Sequence, residues 1–63
     1  MIKLVKIFDI LGMESRIIIY EGEKKLYSGT CENCTRNVWK NAHIVEMKFN
    51  NLLEKYIISI RYM

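Results

Sequence analysis

The chain has 63 residues, 10 Lys and Arg against 7 Asp and Glu, a net charge of +3, two cysteines and no proline. That length allows one domain, which buries only about 60% of the surface exposed by its unfolded chain. The positive sign excludes an acidic mimic of nucleic-acid phosphates, two cysteines exclude a disulfide framework, and no apolar run approaches the ~18 residues of a membrane span.

The opening run KLVKIFDILG places Leu4, Ile7, Phe8 and Leu11 at helical spacing. A short amphipathic helix is expected, stopped at Gly12. Lysines interrupt the apolar run and no small-residue cleavage site follows, so it does not read as a signal peptide. A reducing, cytoplasmic setting with both thiols reduced is expected.

Next comes SRIIIYEGEKKLYSGT. Two runs rich in β-branched and aromatic residues, 16–20 and 25–28, flank a polar stretch containing Gly22, the pattern of a β-hairpin. Alternation sets Ile17 and Ile19 on one face and Ile18 and Tyr20 on the other. Both faces are apolar, so one is expected to pack on helices and the other to serve as an interaction surface.

The stretch GTCENCTRNVWKN holds both cysteines and the single tryptophan. Cys31, Cys34, Val38 and Ala42 share a helical stripe, and Thr30 and Asn33 are candidate N-caps. A second short helix over 32–41 is expected, with the cysteines buried and Arg36, Trp39 and Lys40 toward its exposed flank. The final segment alternates twice. Over 43–49, Val45, Met47 and Phe49 oppose Ile44, Glu46 and Lys48. Over 55–62, Tyr56, Ile58, Ile60 and Tyr62 oppose Ile57, Ser59 and Arg61. NNLLE is read as the hairpin loop between them. The expected fold is a single α+β domain over 1–63, ordered α-ββ-α-ββ, with two hairpins forming an antiparallel sheet and two short helices on one face.

Chemistry is sparse. A structural zinc ion needs four ligands in tetrahedral geometry. Cys31 and Cys34 supply two and His43 a third, but the second cysteine pair is absent, unless two chains each contribute both thiols to one bridging ion. A redox CxxC requires a thioredoxin-like βαβ pattern, which is missing. His43 has no evident nucleophile or orienting partner, and the three glycines make no phosphate-binding loop, so the chain reads as no enzyme and needs no cofactor.

Three readings of Trp39 compete: cover for the core, an anchor in a protein interface, or a base-stacking ring beside Arg36 and Lys40. The leading functional expectation is a non-enzymatic protein-interaction module with an unknown protein partner. Its apolar excess favours a homodimer, its interaction surface comprises Arg36, Trp39, Lys40, Ile18 and Tyr20, and it makes no membrane contact. Nucleic-acid binding through Arg36, Trp39 and Lys40 is the alternative, and the zinc-bridged dimer the third.

Over its whole length the chain resembles a group of short proteins from phages and other mobile elements of Firmicutes. The residues that carry the likeness are Ile17, Ile18, Ile19, Leu26, Tyr27, Gly29, Ile58 and Ile60. The resemblance implies the αββαββ layout and no active site. By its genomic setting it also implies an inhibitor of host defence, of the anti-CRISPR kind, or a regulator. The CxxC is not part of that pattern.

Overall fold

The computed structural model describes residues 2–34 and 39–62. Helix α1 spans Leu4–Ile10. Four strands follow: β1, Arg16–Glu21; β2, Lys24–Thr30; β3, Ala42–Asn50; and β4, Lys55–Tyr62. Together they form a single sheet in the order β2-β1-β4-β3.

Helix α1 forms where the spacing of apolar residues predicts it, with Leu4, Ile7 and Phe8 buried. It ends before Gly12. Leu11 is already extended, and its N–H donates to the Ile7 carbonyl. The first hairpin turns at Gly22, whose φ of 62° suits a residue without Cβ. The second turns through residues 51–54, where the Asn50 side-chain oxygen accepts the Leu53 N–H at 3.0 Å.

Two expectations about the fold are overturned. The sheet is mixed, not antiparallel: β1 and β4, the two central strands, run parallel, with Ile18 beside Ile57 and Ile19 beside Ile58. The second helix is also not formed as expected. A 3-10 turn, Cys31–Asn33, occupies its start, and Cys34 then returns to extended backbone at φ −87°, ψ 121°. Thr30 precedes the turn but makes no side-chain cap bond, and Asn33 lies within the turn. Asn and Thr compete for their own backbone groups, which weakens a helix that lacks a working cap. Residues 35–38, Arg36 and Val38 among them, lie outside the described residues. The fold is therefore mostly β, with one α-helix among the described residues.

One sheet face carries the core. Ile17, Ile19, Ile58 and Ile60 pack with Leu4, Ile7 and Phe8 of α1, and with Cys34, Trp39 and Ala42. Ile44 joins from β3. Simple alternation put Ile44 on the opposite face from Met47 and Phe49. A bulge between Ile44 and Glu46 inserts Val45 as an extra residue, so that Ile44 pairs with Ile60 while Met47 pairs with Ile58. Beyond a bulge the parity of a strand reverses, which brings all three residues to the core side.

Candidate functional site

The two cysteines differ in their surroundings. Cys34 is buried and Cys31 half-buried, and no disulfide joins them. Burial pushes the Cys34 thiol above its ordinary value, a hydrogen bond from the Trp39 indole partly opposes this, and Cys31 adds to the rise. Tyr27 is raised for related reasons, first by burial and then by the neighbouring Cys34 and Cys31. A redox or metal thiol needs the opposite environment, one that favours thiolate. Among the described residues no three His, Cys, Asp or Glu side chains gather in metal-binding geometry. His43 instead directs Nδ1 to the Asn41 carbonyl, 3.2 Å away. A zinc ion bridging two chains would have to reach a Cys34 already enclosed by its own core.

Trp39 is 6% exposed and belongs to the core cluster. The expected position on an exposed flank is corrected: the side chain is buried among core residues. Its ring is spent on Cys34 and the core, which removes it as a base-stacking platform beside Arg36 and Lys40. Lys40 is exposed, and Arg36 is outside the described residues.

Ile18 and Tyr20, the other expected surface residues, lie on the sheet face opposite α1. Ile18 is only 7% exposed yet stands apart from the core cluster. Ile57 is its neighbour on β4 and Ser28 its neighbour on β2. Tyr20 sits between Ser59 and Lys25. No helix of the described chain covers this face.

Strand pairing assembles a set of side chains here that the linear sequence scatters. Arg16 and Tyr20 alternate with the core residues of β1. Lys25 stands opposite Tyr20 and Lys48 opposite Ile57. Lys55 and Arg61 occupy alternate positions of β4 with Ile57, and Arg61 pairs with His43. The face thus gathers Arg16, Lys25, Lys48, Lys55 and Arg61, half of the 10 basic residues of the chain. The one acid among its strand residues is Glu46, which pairs with Lys48 at 3.8 Å with both side chains about two-thirds exposed. Such a pair is loosely held and screened by water.

The centre of the face is the apolar pair Ile18 and Ile57, flanked by the Tyr20 ring. Among the described residues there is no enclosed pocket, so the surface presents charge and flat apolar area, not a cavity. Among the described residues no helix is long and apolar enough to cross a membrane. Sequence reasoning named Ile18 and Tyr20 but missed Arg16, Lys25, Lys48, Lys55 and Arg61. The signal lay in strand parity: Arg16 shares a face with Ile18, Lys48 with Glu46, and Arg61 with Ile57. Compared with known proteins, the chain matches no family model, no curated protein and no solved structure.

Proposed function

We propose that the protein is a non-enzymatic module that binds single-stranded nucleic acid on the open face of its sheet. The observation that carries this reading is the segregation of charge: five cations against the single, already paired Glu46 on a face that no helix among the described residues covers. A phosphate backbone is the polyanion that rewards such a surface, because each cation that meets a phosphate releases a bound counterion. The half-buried Ile57 and the half-buried Tyr20 ring suit the flat faces of unpaired bases. A four-stranded sheet is too broad to enter a duplex groove, which favours single strands over duplexes.

A protein-docking face, and with it an inhibitor of host defence, is the weaker reading for this surface. Its apolar area is confined to two isoleucines and one tyrosine, and a ring of like charge surrounds it. In the mobile-element setting implied by the resemblance, the nucleic acid would be that of the element or its host, met in a reducing cytoplasm where both thiols persist.

Fluorescence anisotropy with labelled single-stranded DNA and RNA tests the proposal. Binding is expected at low salt, with log K falling against log salt by about 0.7 for each phosphate contact. Charge reversal at Arg16 and Lys55 together should abolish it. Absence of binding at low salt, or binding indifferent to that reversal, rejects the reading.

A further inference from the structure

The outer edge of β3 carries a second surface, which shares Glu46 and Lys48 with the basic face. At the sheet order β2-β1-β4-β3, β3 has a strand neighbour on one side only. The N-terminal segment covers the start of its free edge: Lys3 bridges to His43, and the Ile44 N–H donates to the Ile2 carbonyl at 2.8 Å. The strand ends at Asn50. Residues 45–49 between these limits have no strand partner on the outer side among the described residues. They also carry exposed apolar side chains: Val45 at 59%, Met47 at 38% and Phe49 at 47%. An unpaired edge of this length with apolar side chains is a template for another strand.

We propose that the occupant is a second copy of this chain, paired antiparallel through β3 about a two-fold axis at Met47. Two separate features select this register. Met47 is the midpoint of the open stretch, so an axis there pairs all five residues and leaves the Ile2–Ile44 hydrogen bond untouched. The same axis sets Glu46 opposite Lys48 of the second copy, and Lys48 opposite its Glu46. Both charges thereby gain a cross-strand partner of opposite sign. Met47 then meets its own counterpart across the seam. An axis moved to Glu46 or Lys48 would instead set like charges against each other at its centre. In the proposed arrangement the two sheets become one of eight strands. Antiparallel pairing about an axis normal to the sheet also brings both basic faces to the same side.

The pairing stands independently of nucleic-acid binding, and its test needs no ligand. Sedimentation equilibrium of the full chain, from micromolar to millimolar concentration, is expected to show a monomer–dimer equilibrium. Glu46→Lys and Lys48→Glu should each weaken association about tenfold, because each sets like charges together at two symmetric places. The double exchange, Glu46→Lys with Lys48→Glu, should restore it. Far-ultraviolet circular dichroism verifies that each variant is folded. As a second measurement, Met47→Cys in a Cys31→Ser background should form a disulfide-linked dimer on mild oxidation. Residues directly opposite in antiparallel strands stand about 4.5–5.5 Å apart at Cα, within disulfide range. Ile10→Cys in the same background, at a more exposed position on α1 (76% against 38% for Met47), should not cross-link at a comparable rate. A strict monomer throughout the range, a dimer indifferent to the single reversals, or failure of the double exchange to restore association would each overturn the proposal.

Discussion

Tyr27 lies across Gly29. A Cβ on residue 29 would stand 2.7 Å from the tyrosine oxygen and 3.1 Å from its Cζ. The hydroxyl is held there by donating to the Thr30 carbonyl at 2.7 Å. Glycine is thus required by a close approach, not by its backbone angles. Gly29→Ala should displace the ring and break that hydrogen bond, lowering stability by about 1 kcal/mol. In a Tyr27→Phe background there is no hydroxyl to displace, so the same substitution should cost less. A double-mutant cycle by urea denaturation reads the difference.

Trp39→Ala should be among the most damaging single changes, costing about 3–5 kcal/mol. That is a large share of the stability of a chain this short. The native tryptophan should emit at short wavelength, shift to the red on unfolding and resist quenching by iodide. Emission typical of a solvated indole in the folded protein would contradict its place in the core.

The Cys34 thiol gives a pH dependence of definite sign. Its folded value is raised above the ordinary 9.0, mainly by burial. The folded state therefore favours the protonated thiol more than the unfolded chain does. The resulting stability is complete below about pH 9 and declines as pH rises through the raised folded value. Tyr27, raised above its ordinary 10.0, acts in the same direction at higher pH. Denaturation midpoints should hold between pH 6 and 8 as far as these groups are concerned, then fall in alkali. Cys34→Ser should flatten the first part of that decline.

Single alanine substitutions at Arg16, Lys48, Lys55 and Arg61 should each weaken nucleic-acid binding and reduce the salt slope by about one contact. Lys24→Ala is the control, since Lys24 pairs with Glu21 on the other sheet face and should leave affinity unchanged. Tyr20→Ala should cost about 1–3 kcal/mol of binding if a base stacks on its ring.

Glu54 occupies the left-handed region at φ 55°, in the turn between β3 and β4. A side chain with a full-sized Cβ is strained there by roughly 1–2 kcal/mol, whereas asparagine tolerates it better. Glu54→Asn should raise the thermal midpoint, and Glu54→Val should lower it.

Local features were legible in the sequence where they depend on neighbours along the chain. The helical spacing of Leu4, Ile7 and Phe8, the hairpin around Gly22 and the inward set Tyr56, Ile58 and Ile60 all follow from periodicity and turn chemistry. What failed depends on contacts between distant segments. Nothing near Ile18 or Ile57 announces that they will be neighbours, so the parallel centre of the sheet was missed. The bulge at Val45 was hidden because 43–49 reads as unbroken alternation, and it moved Ile44 to the core. Trp39 was misplaced because helical phase was extended through Cys34, where the backbone is extended. The cationic residues were each visible, but their common face exists only once the strands are paired.

The parallel contact between β1 and β4 also governs how the protein reaches this structure. Each hairpin is local and should form within about 1–10 μs. Ile18 and Ile57 are far apart along the chain, and their contact joins the two hairpins only after a long loop has closed. The rate-limiting barrier should therefore lie at the docking of the two hairpins. Truncating Ile18 or Ile57 should slow folding itself, whereas changes in the turn at Gly22 should act through the speed of the earlier, local event.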